Sequence, residues 1–106
     1  MLLSVVRWFI KTETFTPEMA AMPFEQRRPH LEAHRQWVID QCNCGRRIHS
    51  GYLVDEQQQP GGGGLLLFEA RNYPEALSWV QADPMIRSGL VNWRLQEWIH
   101  TGGDQL

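Results

Sequence analysis

Cysteine is scarce in this chain: two residues among 106, both within Cys42-Asn43-Cys44-Gly45. Two thiols so close together exclude a disulfide framework, because next-but-one cysteines rarely bridge and no third is available. A zinc site there would need two further ligands, and His49 is the only neighbour of the right type. The pair is read as reduced thiols at a helix end, with no metal. An excess of charge of either sign is also lacking. Ten Lys and Arg stand against twelve Asp and Glu, a formal net charge of -2. There is no basic stripe for nucleic acid and no acidic block for a cationic partner. Nor is there a long hydrophobic run. The opening MLLSVVRWFI is broken by Arg7, is too short to span a membrane, and carries neither a basic leader nor a small-residue cleavage site. The expectation is a cytoplasmic protein that binds neither nucleic acid nor membrane.

What is present is the composition of an ordinary globular domain, 42% hydrophobic and 21% charged. A single domain over 1–106 follows. So short a chain buries a modest share of its surface, and pairing with a second copy is a natural way to bury more.

The segment 2–11 is rich in β-branched and aromatic residues and reads as a first strand. A loop follows, with room for one helical turn after Thr16 because Pro17 suits a first helical position. From Phe24 to Cys44 the spacing turns helical, with Phe24, Leu31, Val38 and Cys42 as its apolar centre. Pro29 marks either the start of that helix or a bend in it, and Gly45 supplies the stop. The segment 46–55 reads as a second strand, where Gly51 allows a bulge. The glycine run at 61–64 reads as a flexible hairpin loop, since phosphate-cradling loops feed a helix and this one feeds a strand. A third strand covers 65–70. A second helix follows, capped by Asn72. The segment 90–100 closes the chain as a fourth strand, its alternation allowing a bulge near Gln96.

The order β-α-β-β-α-β predicts an α+β, ferredoxin-like fold: a four-stranded antiparallel sheet with two helices on one face. The bare face needs a cover. With Trp8, Phe9, Trp93 and Trp98 on strands one and four, the simplest cover is another copy, sheet against sheet.

Chemistry concentrates around Arg28–Trp37, where His30 and His34 stand one helical turn apart. A zincin helix needs His-Glu-x-x-His; here Glu32 is displaced from the position beside the first histidine, and no third ligand is signalled. The wheel separates the two imidazoles, placing His34 about 60° from the apolar centre and His30 about 100° from it, alongside Trp37. His34 is thus the one at the edge of the buried face. An effective histidine base needs a carboxylate on one ring nitrogen to fix its tautomer and stabilise the imidazolium. Asp83 is the acid of most interest, held out of the helical conformation by Pro84. An ordinary turn at a helix end is the competing reading of Asp83-Pro84.

Three stretches then resemble the YciI-like, or YCII-related, family of small ferredoxin-like dimers, of the dimeric α+β barrel type. They are HRQWVIDQCNCGRRIHSGYL (34–53), GGGGLLLFEARNYPEALSWVQADP (61–84) and MIRSGLVNWRLQEW (85–98), in the family's order and over almost the whole chain. The resemblance implies a histidine–aspartate dyad in a pocket, mapping onto His34 and Asp83. It also implies a small-molecule substrate and no cofactor. Two positions depart from the family pattern: Leu31 stands where many members have arginine, and Tyr52 where many have proline. Arg27 precedes His30 by the family's interval, which keeps His30 as a rival.

The expected function is acid/base chemistry on a small aromatic or carbonyl-bearing compound: elimination, isomerisation or hydrolysis. Some members of the family are dehydrochlorinases of hydroxylated aromatics. Ser50 is a candidate hydrogen-bonding group for substrate, Arg87 a candidate partner for an anionic group, and His30 a neighbour at the pocket rim. The alternative is a binding or accessory module whose dyad is vestigial.

Overall fold

The computed structural model describes residues 6–104. The elements run β1 (Arg7–Phe15), α1 (Pro17–Ala21), α2 (Phe24–Asn43), β2 (Ile48–Val54), β3 (Pro60–Ala70), α3 (Tyr73–Val80), α4 (Pro84–Arg87) and β4 (Val91–Trp98). This is an α+β chain. Among the described residues the sheet has the order β2-β3-β1-β4, and every neighbouring pair is antiparallel. The β1–α2–β2 and β3–α3–β4 units interleave, as a ferredoxin-like arrangement requires.

Side-chain alternation along β1 divides the sheet into two faces. Phe9 points to the helices and is fully buried with Leu66, Phe68, Ala76, Val80 and Leu95, against which Trp37 and Val38 of α2 pack. A second cluster, Met19, Met85, Leu90 and Val91, closes the end where α1 and α4 meet. The opposite face carries Trp8 paired with Trp98, Ile10 paired with Leu67, and Thr12 paired with Leu65. Leu67 is only 8% exposed yet belongs to neither core cluster. Of the four aromatics expected on that open face, Phe9 and Trp93 lie on the helix side instead, because β1 and β4 alternate strictly.

Several sequence expectations are corrected. The first strand runs on through Phe15 rather than stopping at Lys11; the expected positions 2–5 lie outside the described residues. Thr16 ends the strand: its Oγ1 accepts from Met19 N–H and donates to the Leu90 carbonyl, and Pro17 opens α1. Pro29 lies within α2, which begins at Phe24. The glycine run is strand, not loop. The hairpin is turned by 55–59, where Asp55 Oδ1 accepts from the N–H groups of Gln57 and Gln59 at 2.9 Å each. The irregularity in β2 falls between Tyr52 and Val54 rather than at Gly51, and β4 pairs with β1 without a bulge near Gln96. Asn72 caps α3 as expected, accepting from Glu75 N–H at 2.9 Å.

The largest correction concerns α2. Phe24 is 56% exposed and Cys42 is exposed. The half-buried positions are Arg27, His30, Leu31, His34, Trp37, Val38 and Gln41. At about 100° per residue this stripe is centred on His34 itself, roughly 60° from the centre that the apolar residues alone indicate. Polar side chains tolerate the inward positions because they find partners there. Gln41 accepts from Trp79 Nε1 at 2.7 Å, and the Arg27 guanidinium lies 5.7 Å from the Phe15 ring centroid. Trp37, expected nearer solvent, packs against Trp79 with ring centroids 4.7 Å apart and planes tilted by 35°.

Candidate functional site

Three elements converge behind α2. Its central residue His34 projects toward Asp83, which follows the end of α3. Asp83 adopts φ -60° and ψ 123°, the extended conformation imposed by Pro84, and becomes the cap of α4. Its Oδ1 accepts from Met85 N–H at 2.9 Å. The same carboxylate faces His34 Nδ1, at 2.8 Å from Oδ1 and 2.9 Å from Oδ2. From the sheet, Lys11 brings its Nζ to 3.4 Å from Asp83 Oδ2 and also donates to Glu13 Oε1.

Asp83 is fully buried and Lys11 is 1% exposed, whereas the His34 side chain remains 22% exposed. Burial opposes ionisation of Asp83 most strongly. The His34 hydrogen bond, the charges of His34 and Lys11, and the Met85 N–H together outweigh it and hold the carboxyl below the usual aspartate range. An ionised carboxylate can only accept, so His34 Nδ1 must carry the proton. Whenever the ring is neutral, Nε2 is then the bare acceptor. This is the tautomer of a histidine prepared to take a proton through Nε2.

A family model of the YCII-related domain matches residues 6–99. The chain belongs to the YCII-related family. No curated protein matches it. Among solved structures it is similar to the 5-chloro-2-hydroxyhydroquinone dehydrochlorinase of Burkholderia phenoliruptrix AC1100, in complex with 2,5-dihydroxybenzoquinone. The TM-score is 0.67 at 20% identity, over 89% of this chain and 95% of that one. A likeness at that identity speaks for the fold.

In this YCII-related chain the side chains of the other expected site residues make no hydrogen bond to the His34 or Asp83 side chain among the described residues. His30 is half-buried one turn earlier on α2. Ser50 is exposed on β2, opposite Leu66. Arg87 is exposed at the end of α4, donating its backbone N–H to the Asp83 carbonyl at 3.0 Å. An open cavity of about 360 Å³ lies elsewhere, lined by Thr12, Glu13, Thr14, Trp93 and Arg94 among others. His34 and Asp83 are not among its lining residues, although Glu13 touches both it and the Lys11 ammonium.

Lys11 and Glu13 are what the sequence reading missed. A signal existed: with Phe9 facing inward, strict alternation puts positions 11 and 13 on the same face. Ending the strand at Lys11 hid it, since a charge at a strand end reads as solvated.

Asp83 also sets a pH dependence. Its carboxyl is more acidic folded than unfolded, so the stability it contributes is complete above the unfolded value of about 3.9 and is lost as pH falls through its lower folded value. Denaturant midpoints followed downward from neutral pH should fall more steeply below about pH 4 for wild type than for Asp83→Asn. Parallel curves would contradict this placement of the charge.

Proposed function

We propose that this chain is a cofactor-independent enzyme in which His34 Nε2 is the general acid/base and Asp83 orients and charges its ring from behind. The carrying observation is the contact of a part-exposed imidazole, through Nδ1, with a fully buried carboxylate. In the forward step Nε2 takes a proton from a carbon or oxygen acid of the substrate, and the electron pair left behind moves into an adjacent carbonyl or expels a leaving group; for hydrolysis the proton comes from a water whose oxygen bonds to the substrate as the leaving group departs. The imidazolium is stabilised by Asp83 and returns the proton to product or water. That sequence accommodates elimination, isomerisation or hydrolysis. The activity of the structural neighbour, a dehydrochlorinase seen with a dihydroxybenzoquinone, supports elimination from hydroxylated rings as the first chemistry to try. The decisive screen offers chlorinated and non-chlorinated hydroxyquinols, enolisable ketones and esters to wild type and to His34→Ala. A turnover present in wild type and retained in His34→Ala would refute the proposal.

The working unit proposed is a homodimer joined through the open sheet face. Trp8, Trp98 and Ile10 form an apolar surface that no helix of the chain covers among the described residues. Sedimentation velocity should show a dimer for wild type and a shift to monomer for Trp98→Arg. A monomeric wild type at micromolar concentration would refute it.

A further inference from the structure

Lys11 is the least expected residue in the core. A lysine at 1% exposure has to be paired, because an isolated buried ammonium is costly. Its two partners are Glu13, on the same strand and the same face, and Asp83, 72 positions away. The ammonium therefore joins the sheet to the carboxylate that holds His34.

Formal charges show what this arrangement accomplishes. With His34 neutral, Asp83, Lys11 and Glu13 sum to one negative charge; when His34 takes a proton the cluster becomes neutral. Without Lys11 two carboxylates would share a low-dielectric site, and one of them would tend to protonate. A protonated Asp83 could donate to Nδ1 and turn the ring to the opposite tautomer. With Lys11 but without Glu13, the protonated state would carry a net positive charge in the interior. The pair supplies a cation to Asp83 without making the cluster positive.

Geometry adds a second effect. Both Asp83 oxygens are occupied by donors besides His34: Met85 N–H on Oδ1 and Lys11 Nζ on Oδ2. The carboxylate is clamped from both sides, so its plane and the direction offered to Nδ1 are fixed.

We propose that Lys11, held by Glu13, is a positioning residue that clamps the Asp83 carboxylate and thereby keeps His34 in its Nδ1–H tautomer. This rests on the reading of His34 as the acid/base group only for its catalytic consequence. The clamp itself is tested by spectroscopy that needs no substrate. In wild type, ¹⁵N spectra of the histidine ring, taken at a pH where the His34 ring is neutral, should show a protonated Nδ1 and a bare Nε2 for His34. The ¹³C signal of the Asp83 carboxyl should titrate below the ordinary aspartate range. In Lys11→Met the Asp83 midpoint should move up and His34 should gain the Nε2–H tautomer. Glu13→Gln should leave the Nδ1–H tautomer in place, because Lys11 still reaches Asp83.

If Lys11→Met does not fold, Lys11→Met/Glu13→Gln removes the whole ion pair and leaves no orphaned carboxylate at Glu13, a change that buried pairs often tolerate. The same two readouts then apply, with shifts in the same direction but smaller, because the Lys11 contact is lost while the second carboxylate is gone as well. Once a substrate is known, kcat of the folded variant should fall about 10- to 100-fold with KM little changed, as happens when the outer partners of metal-bound histidines are removed. A folded variant whose His34 tautomer and Asp83 midpoint equal those of wild type would overturn the proposal. Loss of His34→Ala sensitivity in the activity screen, with the spectral shifts present, would refute the catalytic reading and leave the clamp standing.

Discussion

Asp83→Asn is expected to lower turnover roughly 10⁴-fold while leaving KM little changed, the scale seen when the orienting aspartate of a serine-protease triad becomes an amide. Both oxygens of Asp83 accept, Oδ1 from Met85 N–H and Oδ2 from Lys11. An asparagine must set its NH₂ against one of those donors, so no orientation satisfies the site. If the NH₂ also faces His34, Nδ1 becomes an acceptor and the proton moves to Nε2, the wrong atom for a base. His34→Ala removes the group altogether and should cost at least as much, about 10⁴-fold, the upper end of the range for a positioned acid/base residue. Activity assays on purified, folded variants check both, with circular dichroism establishing the fold.

The second large effect is expected at Gly63. Its φ of +104° is one that side-chain-bearing residues rarely adopt, and an added Cβ would stand 2.3 Å from the Glu13 carbonyl oxygen. That oxygen is backbone of the central strand β1, so it cannot swing aside as a flexible side chain would. Strain of this kind costs on the order of 1–3 kcal/mol before the clash is added. Gly63→Ala should therefore lower Tm by more than about 10 °C. Gly51→Ala is the control: a Cβ there meets nothing within 4 Å and φ is not positive, so the change should be near neutral. Equal melting temperatures for the two variants would refute this account of the glycine run. Because β1 also carries Lys11 and Glu13, a displacement of it at Gly63 should reach the site.

Gly63 also shows where sequence reading fails. Four consecutive glycines look like a loop because glycine disfavours strands, yet here the absence of side chains lets β3 lie tight against β1 at Glu13. The true turn was legible in principle, since an aspartate that accepts from N–H groups two and four residues on makes a turn without glycine. Element order was readable because strand composition and the Asn72 cap act locally. The inward face of α2 was not, because hydrophobicity marks it only when its residues are apolar. His34, Gln41 and Arg27 face inward through partners contributed by α4, α3 and β1, contacts that no local pattern encodes. The contact of His34 with Asp83 was nevertheless anticipated, through Pro84 fixing Asp83 outside the helix and through family resemblance. Lys11 had neither support, and only the correct end of β1 exposes it.

A double-mutant cycle on kcat/KM with His34→Ala, Asp83→Asn and the combined variant tests the central claim most directly. If Asp83 acts through the His34 ring, the double variant should be no slower than His34→Ala alone, because the aspartate has nothing left to orient. Losses that multiply in the double variant, or a His34→Ala enzyme with wild-type kcat/KM, would contradict the account.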